Sequence, residues 1–253
     1  MKKNLSLITA TILCLGLTQT FAQFGRGPGG PKLDGAMAKL FGDHNTFTAT
    51  MEFQSVQTSG ENITMPGTIA FDTGKSRFEM NMSEAKGMKM PPQAVAQMKS
   101  MGMDSMISIS RPDKNLILIV YPGLKSYAAM TPPKKSDNAD SADFKVETTE
   151  IGKETVEGHA CVKNKVIVTD KENTKHESTV WNATDLKNFP VKIETTEAGQ
   201  SATMLFKNVS FDKPAASSFE APADFTKYDN IQTMMQTEMM KKMGGGAGFP
   251  PGR

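Results

Sequence analysis

Apolar and polar residues alternate along most of this chain, and that alternation limits its possible folds more than any other feature. Between residues 47 and 53, phenylalanine, alanine and methionine occupy every second position, with threonine or glutamate between them. This period of two describes a strand with one apolar and one polar face. The pattern, bounded by Gly, Pro, Asn and Asp, predicts further strands near residues 62–72, 75–82, 105–111, 115–121, 125–130, 144–151, 159–169, 174–182, 190–197 and 201–211. We therefore expect a mainly β fold.

Three segments break the alternation and are predicted to be helices. Residues 31–41 carry apolar side chains at helical spacing, two prolines open a helix at about 93–101, and an apolar stripe marks 226–242. The run from Leu116 to Tyr121 is apolar on both faces, which is typical of a strand covered on both sides. A polar linker at about 131–142 could divide two domains, but the strands beyond it are few, so one continuous sheet is expected.

The first 22 residues have the features of a signal peptide. Lys2 and Lys3 precede a short apolar stretch, and cleavage is predicted after Ala22. The Gly- and Pro-rich stretches at 23–32 and 244–253 are expected to be flexible tails, which leaves a single folded domain at 33–243. No downstream segment is long and apolar enough for a membrane span. We therefore expect a soluble periplasmic or secreted protein.

Charge and cysteine content exclude further classes. The chain has 29 basic and 27 acidic side chains, and the predicted cleavage removes two lysines, so the mature net charge is near zero. This balance gives no electrostatic attraction to nucleic acid. Cys161 becomes the sole cysteine of the mature chain, so no intramolecular disulfide is expected. A monomer is expected.

Several motifs that resemble catalytic sites fail on inspection. Gly74-Lys75-Ser76 resembles the end of a phosphate-binding loop, but Ile69 stands where that loop requires glycine. His176 lacks the second histidine of a zinc-protease helix, and no Gly-x-Ser-x-Gly sequence is present. The chain has three histidines in all, which leaves little material for a histidine base. The sequence therefore predicts a protein that is not an enzyme and needs no cofactor.

Two groups of soft or nitrogen ligands leave metal binding open. His159 and Cys161 lie two residues apart on a predicted strand, and His176 on a neighbouring strand could join them. A buried structural thiol is the stronger interpretation of Cys161. A second candidate is a Cu(I) site made by methionines that are spaced as in some thioether copper sites: Met88, Met90, Met101, Met103 and Met106.

Most of the 19 methionines lie in two segments, at 80–106 and 234–243. Methionine is unbranched and polarisable, so it fits irregular apolar partners. The sequence alone leaves three uses open for these clusters: copper binding, the lining of an apolar cavity, and ordinary core packing.

The order of local signals resembles the Lol-type periplasmic lipoprotein carriers, the LolA/LolB-like superfamily involved in outer-membrane lipoprotein sorting. Those proteins have a Gly-x-x-Arg strand, then a turn bearing Asp and Gly or Lys, then a strand ending in Tyr and Pro. Residues 74–80, 111–117 and 121–127 are similar to these three features in that order. The closing strands are similar at residues 152–158, 181–185, 189–194 and 219–224.

The resemblance implies a curved antiparallel half-barrel with about three helices over its concave face, enclosing a cavity for acyl chains. The carriers' cavity arginine falls on Arg77, but alternation places Arg77 with Glu79, away from Phe78 and Met80, where it could instead pair with an acid. The methionine-rich helical segment at about 83–104 is an insertion relative to the carriers. We expect this segment to be either a lid beside the cavity or an added structural element that only packs on the sheet.

The leading hypothesis is an exported binding or carrier-like protein that holds an apolar ligand, a lipid or a lipoprotein acyl chain. The alternatives are a methionine-rich periplasmic Cu(I) binder and an envelope interaction or stress-sensing domain with a protein partner. The residues predicted to bind the apolar ligand are Arg77, Phe78, Met80, Met82, Met98, Met101, Ile117, Ile119, Trp181, Ile231 and Met235.

Overall fold

The structure is a computed structural model that describes residues 35–56, 62–88, 90–132, 144–170, 172–197 and 200–244. The predicted signal peptide, the two predicted tails apart from Gly244, and most of the predicted linker lie outside the described residues. The domain boundaries predicted from the sequence therefore remain predictions.

Twelve strands in the described part of the chain form one sheet, which confirms the mainly β fold. The sheet is curved and open, because its edge strands β12 and β7 do not pair with each other. The strands are β1 (Thr46–Val56), β2 (Asn62–Asp72), β3 (Lys75–Asn81), β4 (Ser105–Arg111), β5 (Leu116–Tyr121), β6 (Ser126–Met130), β7 (Lys145–Val156), β8 (His159–Thr169), β9 (Lys175–Ala183), β10 (Phe189–Glu197), β11 (Gln200–Ser210) and β12 (Thr226–Tyr228).

The strand order across the sheet is β12-β6-β5-β4-β3-β2-β1-β11-β10-β9-β8-β7. Strands β1 to β6 are laid down side by side toward one edge; the chain then restarts at the opposite edge and returns through β7 to β11, which pairs with β1. Every pair of neighbours is antiparallel except β12 and β6. The two meanders therefore share one sheet, as the sequence predicts.

The described residues form three α-helices beside the sheet: α1 (Gly35–Lys39), α2 (Pro92–Ser100) and α3 (Ile231–Gly244). The helix predicted at 226–242 begins too early, because Thr226–Tyr228 is strand β12 and pairs in parallel with β6. Threonine and tyrosine favour extended backbone. The helix begins after Asn230, whose side-chain oxygen accepts a hydrogen bond of 2.8 Å from the amide of Thr233.

Register defines two faces of the sheet, since residues paired across antiparallel strands project to the same side. We call inner the face that carries Phe47, Phe78 and Val180. Helix α1 and the turn after it pack on the inner face, where the ring of Phe41 stacks on that of Phe47 with centroids 4.9 Å apart. Helix α3 also lies on this face, because Glu238 accepts a hydrogen bond from the inner-face hydroxyl of Ser126.

The outer face of β4 and β5 is covered by residues that follow β11. Ile109 and Leu118, which are paired across β4 and β5, belong to an apolar cluster completed by Phe219. Buried Arg111 fixes this layer by donating to the carbonyl of Phe219 and by ion pairs with Asp113 and Glu220. These pairs raise the pKa of Arg111 and lower that of Asp113 to about 2. Strand β5 is therefore covered on both faces, as its sequence predicts.

Candidate functional site

Buried methionines cover part of the inner face over β2 to β4. Met80 on β3 is the direct partner of Met106 on β4. Both belong to a set of buried methionines, here called the methionine layer: Met65, Met80, Met82, Met98, Met106 and Met234. Burial raises the pKa of Tyr121, at the inner-face end of β5, to about 12, in keeping with the exclusion of water from this half.

A buried carboxylate holds helix α3 against this half of the sheet. Glu238 accepts hydrogen bonds from the hydroxyls of Ser126 (3.1 Å) and Tyr228 (2.6 Å) and pairs with Lys241 (2.8 Å). Burial alone raises the pKa of Glu238, but the donors from Lys241, Tyr228 and Ser126 outweigh it, so the pKa is lowered. Lys242 adds a link to the residue that follows α2, because its ammonium group donates to the carbonyl of Met101 at 2.8 Å.

The backbone just after α2 lies in close contact with the turn that follows β5. Gly102 has a positive φ of 71°, and a Cβ atom there would collide with the backbone of Gly123. Only glycine meets both conditions without strain. This close approach and the Lys242 link hold the predicted insertion against the sheet.

The other half of the inner face contains a cavity of about 770 Å³, which we call the α1 cavity. It lies between strands β7 to β9 and the segment that contains the end of α1 and the following turn. Its apolar lining residues are Leu40, Phe41, Val146, Val166, Val180 and Phe211. Its polar and charged lining residues are Lys39, Asp43, His44, Asn45, Thr46, Thr148, Asn182, Lys187 and Asn188.

One wall of the α1 cavity is built from aromatic rings that contact one another. The imidazole of His44 lies 5.3 Å from the ring of Phe189 and 5.2 Å from that of Phe211, measured between centroids. Its Nε2 atom is 3.1 Å from the carbonyl oxygen of Lys187. His44 thus joins the turn after α1 to the turn before β10.

A second cavity of about 460 Å³ opens on the outer face and includes Arg77 among its lining residues. The Nη2 atom of Arg77 donates to Glu79 Oε2 at 2.8 Å. This ion pair fits the placement that alternation predicts for Arg77. The guanidinium charge is therefore already balanced on the face opposite the methionine layer.

The structure separates the predicted ligand residues into several environments. Phe78, Met80, Met82, Met98 and Ile119 are buried. Half-buried positions are occupied by Met101, Ile117, Ile231 and Met235. Arg77 faces the outer cavity. None of the predicted residues lines the α1 cavity, and their assignment to a ligand stays a prediction.

Trp181 is buried on the outer face rather than near the methionine layer. Its Nε1 donates to Glu154 at 2.8 Å, and the ammonium groups of Lys192 and Lys163 lie 4.1 and 4.8 Å from its ring centroid. These contacts account for its burial through neighbours on its own face.

The candidate metal ligands do not converge. His159 lies opposite Val156 at one end of β8, whereas His176 lies opposite Val168 near the other end. Each histidine pairs with an aspartate instead, His159 with Asp185 at 2.7 Å and His176 with an aspartate at 3.3 Å. Among the described residues no group of three or more His, Cys, Asp or Glu side chains could hold a metal ion.

Cys161 is buried, and burial raises the pKa of its thiol. Its sulfur donates to the carbonyl of His159 at 3.3 Å. The methionines of the copper hypothesis are half-buried except Met106, which is buried, and that hypothesis stays a prediction. No helix within the described ranges is long and apolar enough to cross a membrane.

The residues of the α1 cavity were not predicted from the sequence. Only two signals pointed toward it: the apolar spacing that predicts the first helix, which includes Leu40, and the alternation that places Val166 and Val180 on strands. His44 and Lys187, which are far apart in sequence, carry no local motif that would single them out.

Comparison with solved structures finds matches that include a LolA superfamily protein and two mycobacterial proteins. A LolA superfamily protein from Nitrosomonas europaea is 9% identical with a TM-score of 0.34, and the match covers 74% of this chain and 94% of that one. The Mycobacterium tuberculosis lipoprotein LppX is 9% identical with a TM-score of 0.39, over 70% and 97% of the two chains. LprF from Mycobacterium bovis is 13% identical with a TM-score of 0.36, over 72% and 94%.

The LolA superfamily is thus among the similar structures, as the sequence resemblance predicts. Similarities at these identities and TM-scores carry no conclusion about what this chain binds. No curated protein matches the sequence. A family model described as a domain of unknown function, DUF4412, matches residues 47–189, which is more than half of the 253 residues. The chain therefore belongs to the DUF4412 family.

Proposed function

We propose that this protein is a non-enzymatic binding protein that holds the apolar chain of a lipid or acyl group in the α1 cavity. The observation that carries the proposal is the cavity itself, at about 770 Å³ with six apolar side chains in its lining. Small-molecule sites in proteins are typically concave, mostly apolar and about 300–1,000 Å³ in volume.

The side chains of the cavity favour binding over catalysis. His44 is its one histidine, and Nε2 of that ring contacts the backbone carbonyl of Lys187 rather than a nucleophile. The rings of Phe41, Phe47 and Phe189 pack against one another and support the turn after α1. A rigid apolar wall of this kind suits a chain that is held by contact area.

The location follows from the predicted signal peptide. An exported protein meets acyl chains in membrane lipids and in lipoproteins, either of which could fill the cavity. We therefore propose a mature chain that begins at Gln23 and acts outside the cytoplasm. N-terminal sequencing of the protein recovered from the periplasm or medium tests this, since a first residue other than Gln23 would contradict the cleavage site.

Two adjacent positions on β7 provide a matched test of the ligand site. Thr148 lines the α1 cavity, whereas Thr149 projects to the opposite face of the same strand; both are exposed. Thr148→Phe fills part of the cavity at little cost to folding. Burial of one ligand methylene contributes ~0.8 kcal/mol to the binding free energy. If the new phenylalanine displaces two methylenes of the ligand from the cavity, the affinity falls roughly tenfold.

The measurement is the affinity for a fluorescent fatty acid, 11-(dansylamino)undecanoic acid, together with mass spectrometry of an organic extract of the purified protein. We expect bound lipid in the extract, a roughly tenfold loss of affinity in Thr148→Phe, and native affinity in Thr149→Phe. A purified protein that contains no lipid and does not bind the probe would overturn the proposal. Equal affinities in the two variants would place the site elsewhere.

A further inference from the structure

The charged side chains at the α1 cavity are unevenly balanced. Lys39 and Lys187 contribute two ammonium groups to its lining, and Asp43 contributes one carboxylate. Within the described residues neither ammonium group forms an ion pair. Lysines elsewhere on the sheet, such as Lys165, Lys192 and Lys207, are paired with glutamates on neighbouring positions. The cavity therefore keeps an unpaired positive charge beside its apolar lining.

Lys187 is held at this place by a turn that costs conformational energy. Lys187 and Asn188 both have positive φ, at 55° and 61°, which is uncommon for residues other than glycine. Three hydrogen bonds support the turn: His44 to the carbonyl of Lys187 (3.1 Å), Asn182 Nδ2 to the carbonyl of Asn188 (2.9 Å), and the Asn188 amide to the carbonyl of Ala183 (2.9 Å).

Both side chains that make these hydrogen bonds, His44 and Asn182, themselves line the α1 cavity. The ammonium group of Lys187 lies 5.4 Å from the ring centroid of Phe211, another lining residue. The turn thus presents a cation at the boundary between the apolar interior of the cavity and water. Residues kept in rare backbone conformations by surrounding contacts cluster at ligand sites.

We propose that the α1 cavity binds a single-chain amphiphile with an anionic headgroup, a carboxylate or a phosphate. The headgroup pairs with Lys39 and Lys187, and the chain contacts Phe41, Val166 and Val180. This inference rests on the proposed function and adds the charge of the ligand to it. A cation beside a low-dielectric wall attracts an anion more strongly than a fully hydrated lysine does.

The test compares four probes that share one chain: dodecanoate, dodecyl phosphate, dodecanol and dodecyltrimethylammonium, each kept below its micelle concentration in calorimetric titrations. We expect dodecanoate or dodecyl phosphate to bind at least about tenfold more tightly than dodecanol, and dodecyltrimethylammonium to bind most weakly. The tighter of the two anions identifies a carboxylate or a phosphate as the preferred headgroup. Raising the salt from about 20 to about 200 mM reduces the preference for the anion, because salt screens exposed charges.

The variant Lys39→Gln/Lys187→Gln removes both cations, and we expect its affinity for the anionic probes to fall to that for dodecanol. Lys187 directly follows the 3-10 turn Thr184–Leu186. Lys125→Gln is the matched control, because Lys125 likewise follows a short 3-10 turn and has a positive φ, of 47°, but lies outside the α1 cavity. It leaves the preference unchanged. Thermal unfolding of each variant confirms that the fold is retained.

The outcomes separate this inference from the function on which it rests. If dodecanol binds as tightly as the anions, or the preference survives the double substitution, the charge assignment is overturned while a binding site for apolar chains stands. If none of the four probes binds, the proposed function is overturned and this inference with it.

Discussion

The two halves of the inner face differ in how completely side chains fill the space above the sheet. Over β2 to β4, helices α2 and α3 and the sheet contribute buried methionines such as Met80, Met98 and Met234. Over β7 to β9, the apolar side chains of the lining are mainly valine and phenylalanine, and a cavity of about 770 Å³ remains beside them. The methionine-rich half is packed, and the half without that compositional signal is open.

The difference follows from side-chain flexibility and from support. Methionine has three rotatable bonds and fills irregular gaps between a helix and a sheet. Valine is stiff, and phenylalanine is rigid and stacks in defined geometries, so walls made of them can enclose a space. The open half also includes the edge strand β7, whose side chains are nearly all exposed, whereas β5 is covered on both faces. Methionine clusters therefore do not mark the cavity here.

The largest expected effect concerns the packing of the methionine layer. Met234 is fully buried and Met240, on the same helix, is 66% exposed. We expect Met234→Ala to lower the free energy of unfolding by about 2–5 kcal/mol and Met240→Ala to change it by less than about 0.5 kcal/mol. Chemical denaturation measures both. Similar small effects would show that α3 is not packed tightly and would remove the contrast between the halves.

Glycine at position 102 gives the next largest effect. Gly102→Ala places a side chain against the backbone of Gly123, whereas Gly74→Ala, also at positive φ, meets open space. Both variants carry a strain of about 1–2 kcal/mol from the left-handed backbone, and Gly102→Ala loses in addition the contact between α2 and the turn after β5. Thermal unfolding compares them, and equal melting temperatures would contradict the close approach.

Protonation of Glu238 should weaken the packing of α3 on the methionine-rich half. Its folded-state pKa lies below the ordinary 4.5, so its stabilising contribution is present above that pH and is lost as the pH falls through the folded pKa. Glu238→Gln is expected to cost about 1.5–3 kcal/mol at pH 7. The difference between native and variant should shrink below pH 4.5. Melting temperatures across this range measure it, and a difference independent of pH would exclude a charged Glu238 as the cause.

Sequence reasoning placed the strands well because alternation is a local signal with a direct geometric meaning. The predictions at 62–72, 105–111 and 159–169 coincide with β2, β4 and β8. Alternation also placed Arg77 beside Glu79 on the outer face. The helix prediction failed at Thr226–Tyr228, because this segment pairs with β6, about a hundred residues earlier in the chain, and such a distant partner leaves no local signal.

The lining residues of the α1 cavity were not predicted for a different reason. Its lining comes from the turn after α1, from edge strand β7 and from the turn at Lys187, and these segments meet only because β7 to β11 return toward β1. Periodicity tells which face a residue occupies. It does not tell how completely a helix fills the space above that face, which depends on the volumes of side chains from distant segments.

The smallest expected effect is that of Val180→Leu, which belongs to a pair of variants that add volume to each half and so test the comparison most directly. Ala128 is fully buried on the inner face under α3, and Val180 borders the α1 cavity. Ala128→Leu overpacks its site and should cost about 1–3 kcal/mol of unfolding free energy. Val180→Leu adds one methylene toward an open space, so we expect less than about 1 kcal/mol and a several-fold loss of affinity for the fatty-acid probe. Denaturation and probe titration of both variants measure the two effects. A costly Val180→Leu beside a harmless Ala128→Leu would reverse the assignment of packed and open halves, since added volume is tolerated only where space already exists.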